Sequence, residues 1–174
     1  TGFDAAIYFG DAGWPGTEAH FLMHEYPVPV CSPTLPGVQP HMTPEAIAEL
    51  PLLQQSTRPY AWRQWFAAAG VTTPRAMTGM RLELFSMLAQ AAIERLGVAL
   101  IPPFLIQQEL ANGSLISPCP QSMPSSRAYY LIVPEHKAER PALTCFREWL
   151  VGEAKENACE GNAHEPLTNQ TLPK

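Results

Sequence analysis

Residues 76–113, AMTGMRLELFSMLAQAAIERLGVALIPPFLIQQELANG, leave the chain few ways to fold. Phe85, Leu88, Ala92 and Leu96 recur at helical spacing, and Ala89 and Ile93 widen that stripe. Gly97 falls where a helix C-terminus favours a residue free to take positive φ. Val98-Ala99-Leu100-Ile101 is a continuous apolar run, as expected of a parallel strand covered on both faces, and Pro102-Pro103 ends it. The segment therefore reads as strand, turn, amphipathic helix, buried strand, proline stop and second helix. Such a βαβ unit presents a helix N-terminus at the carboxyl edge of a sheet, where open α/β folds bind ligands.

The flanking chain is organised around this unit. Residues 3–9 read as a strand, and Gly10 to Gly16 as a turn-rich loop with G-x-x-G-x-x-G spacing. That spacing is not the dinucleotide fingerprint, and no clear helix follows it. Trp14 is expected to pack a corner of the fold. Glu18 to Cys31 is extended, with His20, Leu22 and His24 on one face and Phe21 and Met23 on the other. His20 and His24 are expected to be solvated, because no third ligand is near enough to complete a metal site.

Thr43 caps a short helix that has Pro44 at its first position. Leu52 to Gln55 is a strand, Ser56 to Pro59 a turn, and Tyr60 to Ala69 a helix closed by Gly70 whose Trp62, Trp65 and Phe66 share one stripe. Ala128 to Val133 is a further strand. Pro141 to about Ala154 reads as an amphipathic helix with Leu143, Phe146, Trp149 and Leu150 facing inward. The polar stretch from Lys155 to Lys174 lacks periodicity and is expected to be disordered.

Alternating strands and helices imply an α/β protein with a largely parallel sheet. Proline-marked crossings near residues 24–31 and 114–129 imply two lobes with a ligand cleft between them. The first lobe is read as residues 1–24 and 128–154, and the second as residues 25–127.

Composition narrows the function classes. The chain has 174 residues, 46% hydrophobic and 16% charged, with a net charge of −5. The acidic balance argues against a nucleic-acid-binding face. The 19 prolines are about twice the usual share and fall mainly at turns and strand ends. The four cysteines, at 31, 119, 145 and 159, form no C-x-x-C pair. Their wide spacing suggests reduced thiols in a cytoplasmic protein, with Cys31 and Cys145 as buried small hydrophobes. No apolar run approaches the roughly 18 residues of a membrane helix. There is no G-x-S-x-G, H-E-x-x-H or P-loop motif, and Ser32, His41 and Glu45 lack a residue to orient them, so no enzymatic activity is expected.

Five stretches carry a resemblance in fixed order: FDAAIYFGDAGWPGTEAHFLMHEYPVPVCSP, AWRQWFAAAGV, the helix with Gly97-Val-Ala-Leu-Ile-Pro102, ELANGSL and FREWL. Together they resemble the LysR-type transcriptional regulators, in the branch containing the glycine-cleavage activator and the β-lactamase regulator, over roughly residues 2–154. The resemblance implies a two-lobed effector domain like type II periplasmic binding proteins. It also implies a winged helix-turn-helix and a linker helix elsewhere in the parent protein, through which alone DNA would be bound. The abrupt start at Thr1 then suggests a first lobe lacking its opening β-α-β, and a chain unstable in isolation.

The same resemblance implies a small-molecule effector and a homodimeric or homotetrameric parent, with no cofactor, metal or membrane partner. Carried over by position, the effector would be lined by Tyr8, Phe9 and Gly10, then Ser56 and Thr57, then Glu83, Leu84, Phe85 and Ser86, with Pro102 and Tyr129. Hydroxyls near free helix N–H groups suit a small anion or amide. The chain departs from the branch at two places. Tyr8 stands where an arginine is usual, and Leu84-Phe85 replaces a small polar pair. Both changes favour an aromatic or amide-bearing effector over a bare dicarboxylate. A free-standing solute-binding protein of the same fold is the alternative reading.

Overall fold

The structure, a computed structural model, describes residues 2–123 and 127–161. In chain order the strands are β1 Ala6–Gly10, β2 Thr17–His24, β3 Val28–Val30, β4 Leu53–Gln55, β5 Met80–Leu82, β6 Ala99–Ile101 and β7 Ala128–Pro134. The α-helices are α1 Pro44–Ala48, α2 Ala61–Ala68, α3 Phe85–Ile93, α4 Gln107–Ala111 and α5 Pro141–Gly161. The chain divides into two compact units, Thr1–Glu25 with Ser126–Lys174, and Tyr26–Ser125.

The first unit is built on the sheet β1-β7-β2, in which β7 runs antiparallel to both neighbours. The expected parallel sheet is therefore absent here. Gly10 pairs with Ala128 while Thr17 pairs with Pro134, so the loop between them must travel back along the length of β7. Six extended residues span roughly 20 Å, enough for that return. The register slips between Phe21 and Met23, and the extra residue, Leu22, turns into the core at 6% exposure. Leu22 stays on the face of His20, whose partner Leu131 shares its core, and the bulge turns His24 instead to the face of Phe21, 4.9 Å away between ring centroids.

Helix α5 packs on this sheet through Leu143, Leu150, Val151 and Ala154, against Leu22, Leu131 and Val133. Phe146 and Trp149, expected to face inward, are 40% and 57% exposed and lie against each other at 5.9 Å between ring centroids. The stripe set by Leu143, Leu150 and Ala154 runs at 3.6-residue period, and Trp149 lies well off it. The helix also continues to Gly161, past the expected boundary at Ala154. The rest of the expected disordered tail, residues 162–174, lies outside the described residues. Lys137 joins the unit's ends, donating to the Phe3 carbonyl at 2.9 Å and to Asp4 at 2.8 Å. The Lys137 hydrogen bond and charge hold the exposed Asp4 carboxyl below its ordinary range, with Arg140 adding to the effect.

In the second unit β4 lies between two partners. It pairs in parallel with β5, and residues just before it meet the entry to β6 through a parallel Leu52–Val98 bridge. Among the described residues β3, antiparallel to β6, and the antiparallel Cys31–Ile116 bridge just after it break the parallel order. Thus β5-α3-β6 is the βαβ unit that the apolar periodicity implies. On one side of these strands α2 buries Trp62, Trp65 and Phe66, all at most 1% exposed. The indoles are not left with orphan donors: Trp62 Nε1 donates to the Leu53 carbonyl at 2.8 Å and Trp65 Nε1 to the Gln121 carbonyl at 2.9 Å. On the other side Leu88, Ala89, Ala91 and Ala92 of α3 pack against Val28, Val30, Ala99 and Ile101.

Helix α3 ends earlier than the glycine suggests. Arg95 N–H donates to the Ala92 carbonyl at 3.1 Å and Leu96 N–H to the Ala91 carbonyl at 3.0 Å, a Schellman closure with Arg95 at φ 62°. Leu96 consequently leaves the stripe and is 50% exposed. Gly97 takes φ 158°, a conformation that residues with side chains rarely adopt, and a β-carbon there would also stand 2.6 Å from the Pro51 carbonyl oxygen. Gly79, at φ 109°, faces the Leu52 carbonyl oxygen even more closely. Cys31 and Cys119 are buried, whereas Cys145, expected inside, is exposed. Burial pushes the Cys31 thiol up to about 11, so it is an unreactive packing group at neutral pH.

Two substitutions test these backbone assignments by urea unfolding. Arg95→Gly should raise stability by about 0.5–1 kcal/mol, since glycine relieves the left-handed strain. Gly79→Ala should lower it by more than about 2 kcal/mol, because backbone must move to admit the methyl group.

Candidate functional site

The residues expected to line a ligand fall into two sets, one in each unit. In the second unit they gather at the carboxyl ends of β4 and β5. Ser56 N–H donates to the Leu82 carbonyl at 2.9 Å, which extends the β4–β5 pairing and holds Ser56 and Thr57 beside the start of α3. Gln55, buried at the end of β4, donates through Nε2 to the Glu83 carbonyl at 3.4 Å. Ser56, Thr57, Glu83, Leu84 and Ser86 are exposed, and Phe85 is half-buried against the α3 core. Leu84 is the N-cap residue of α3 and supplies no side-chain acceptor, so the first turn carries no side-chain cap. Pro102 ends β6 and is buried, where its carbonyl accepts from Leu105 N–H at 3.0 Å.

Sequence reasoning missed Arg58. The turn after β4 closes with Arg58 N–H donating to the Gln55 carbonyl at 3.0 Å. Its Nη1 donates to Gln55 Oε1 at 3.1 Å, and its guanidinium carbon lies 4.7 Å from the centroid of the Phe85 ring. The available signal was a cation in the turn directly after Ser56-Thr57, one residue beyond the set carried over by position.

In the first unit Phe9 and Tyr129 are paired across β1 and β7, with ring centroids 4.9 Å apart. Tyr129 donates its hydroxyl hydrogen bond to Glu25 Oε1 at 2.8 Å, and Glu25 is only 2% exposed. A buried carboxylate in such a bond fixes the tyrosine ring. Tyr8 lies on the opposite face of the strand, its ring over Gly10 and 4.8 Å from Trp14. The structure therefore joins Phe9 with Tyr129, and Tyr8 with Gly10, as two separate pairs.

Other polar groups are engaged elsewhere. Ser32 Oγ meets Thr34 Oγ1 at 3.1 Å. The Glu45 carboxyl is held below its ordinary range by its own backbone N–H and by Thr43, which is helix-end capping. His20 pairs with Glu18 at 3.3 Å. Among the described residues no three His, Cys, Asp or Glu side chains gather as a metal-holding group, and no helix is long and apolar enough to cross a membrane. An open hollow of about 610 Å³ between Pro36 and Pro51 contains none of the expected ligand residues.

Comparison with known proteins gives a consistent result. The family model described as the LysR substrate binding domain matches residues 1–155. The glycine cleavage system transcriptional activator of Escherichia coli (strain K12) is 34% identical over 152 residues, covering 87% of this chain and 50% of the activator. The HTH-type transcriptional activator AmpR of Rhodobacter capsulatus is 35% identical over 155 residues, covering 89% of this chain and 52% of AmpR. The X-ray structure of the effector domain of AmpR from Pseudomonas aeruginosa matches with a TM-score of 0.80 at 28% identity, over 94% of this chain and 77% of that one. The chain spans about half the length of the curated relatives it matches. Those relatives are named as transcriptional regulators, not enzymes. With the α/β fold of the type II periplasmic-binding-protein class, this chain belongs to the LysR substrate-binding domain family.

Proposed function

We propose that this chain is the effector-sensing part of a LysR-type transcriptional regulator, and that its ligand is held at the carboxyl edge of β4 and β5. The observation that carries this reading is the cluster there: exposed Ser56, Thr57 and Ser86 beside a half-buried Phe85 and the uncapped start of α3. Hydroxyls, backbone donors and an aromatic wall are the parts of a small-molecule site, and this edge is where open α/β folds build one. Glu83 and Leu84 complete its rim, with buried Pro102 closing the neighbouring strand end.

Ligand binding would act through a difference in affinity for two arrangements of the regulator. DNA contact belongs to a winged helix-turn-helix of the parent protein, a cytoplasmic homodimer or homotetramer without enzymatic activity. That the relatives are transcriptional activators favours this reading over a free-standing solute-binding protein.

A thermal-shift screen with amino acids, aromatic acids and peptidoglycan fragments identifies ligand classes, and titration of Phe85→Ala tests the site. Loss of the ring should weaken a hit by about tenfold, some 1.4 kcal/mol. Unchanged affinity for every hit in Phe85→Ala would remove the ligand from this edge.

A further inference from the structure

We infer that Asn112, at the end of α4, is a site of spontaneous covalent modification: its side-chain amide is poised to close on the Gly113 nitrogen and to leave aspartate or isoaspartate in place of asparagine. Asn112 is not among the residues of the proposed ligand edge.

Three features of this turn carry the assignment. The first is the folding back of the side chain. Asn112 is the C-cap residue of α4, and its Oδ1 accepts from Ser114 N–H at 2.9 Å. An asparagine bonded to the backbone two residues on lays its side-chain carbonyl over the intervening peptide, which brings Asn112 Cγ towards the Gly113 nitrogen that attacks it. The same hydrogen bond aims a donor at the oxygen on which negative charge gathers during that attack.

The second feature is access. Asn112 and Gly113 are exposed, and nothing lies within 4 Å of the place where a β-carbon on Gly113 would stand. Any other residue type at this position would shield the nitrogen with a side chain, and at φ 76° glycine is the residue the turn favours. Water and hydroxide therefore reach the reacting atoms. The third feature is the weakness of the opposing restraint. Gly113 N–H donates to the Leu110 carbonyl at 3.3 Å, beyond the usual N–H···O range. This bond closes a helix of only 5 residues, and such ends open readily.

In the first step the Gly113 nitrogen loses its proton to hydroxide and bonds to Asn112 Cγ. The bond from Cγ to Nδ2 breaks, and the nitrogen leaves as ammonia, giving a cyclic imide. Water then opens the imide at one of its two carbonyls. Opening at Cγ leaves aspartate, and opening at the backbone carbonyl leaves isoaspartate, with the main chain routed through Cγ. Either product places a negative charge beside the C-terminal carbonyls of α4, where the helix dipole is already negative. Isoaspartate also lengthens the main chain by one carbon shortly before Leu115, which is 0% exposed in the α3 core, and Ile116, which is bridged to Cys31.

The test incubates the 174-residue chain in mildly alkaline buffer, with and without urea, and follows its peptides by mass spectrometry after chromatographic separation of isomers. The peptide containing Asn112 is expected to gain the mass difference between an amide and an acid and to split into aspartate and isoaspartate forms. It should do so many times faster than the peptide containing Asn157, which alanine follows. Conversion in the folded chain should be at least as fast as in urea, because the turn pre-forms the approach of nitrogen to carbon. Asn112→Gln keeps an amide but requires a larger ring, and should abolish the conversion. Slower conversion in the folded chain than in urea overturns the proposal, because the turn then shields the peptide. Conversion of Asn112 no faster than that of Asn157 overturns it as well. So does a mass gain that persists in Asn112→Gln, which would place the reaction at another residue.

Discussion

The second unit depends on how closely its central strand is approached from both sides. Pro51 and Leu52 point their carbonyl oxygens at Gly97 and Gly79, and neither glycine position can accept a β-carbon without moving backbone. The Pro51 carbonyl also accepts from Val98 N–H, and Leu53 N–H donates to the Val98 carbonyl, each at 2.8 Å. Buried Gln54 donates through Nε2 to the Ala76 and Thr78 carbonyls at 3.1 and 2.7 Å, which ties the approach to β5 onto the same strand. A buried amide costs stability unless it is bonded in this way. With the Trp62 indole on Leu53 as well, nearly every polar group of this stretch has a defined partner.

That rigidity is what gives the candidate site its geometry. Ser56, Thr57 and Arg58 leave β4 at one end, and Glu83 to Ser86 leave β5 beside them. Since the strands are locked in register, Leu53 to Met80 and Gln55 to Leu82, the two turns cannot slide past one another. Side chains held this way are oriented before any ligand arrives, which lowers the ordering cost of binding.

Much of this was legible in the sequence, for identifiable reasons. The α3 stripe, the β6 run and the Pro102 stop are strong periodic and punctuating signals, and the Trp62, Trp65 and Phe66 stripe of α2 is equally clear. The carried-over residues of the second unit also come together, because adjacent strand ends bring their turns side by side. What was not legible depends on pairing across distant segments. The antiparallel insertion of β7 between β1 and β2 leaves no mark in local pattern, and the bulge at Leu22 inverts an alternation that is otherwise regular. Phe146 and Trp149 misled because hydrophobicity does not specify which side of a helix is covered. Arg95 misled because a nearby glycine looked the better helix terminator, although hydrogen bonding placed the left-handed residue two positions earlier. Arg58 was overlooked because its significance is a ring contact with Phe85, 27 positions further along the chain.

The exposure of Ser56, Thr57, Glu83, Leu84 and Ser86 has an evolutionary consequence when set beside the crowding around β4. Exposed substitutions away from special backbone positions usually shift stability by no more than about 0.5 kcal/mol. Chemical preference at this proposed ligand edge can therefore drift, or be engineered, while the scaffold beneath it tolerates almost no change. A domain divided in this way is free to acquire new signals without having to solve its folding problem again.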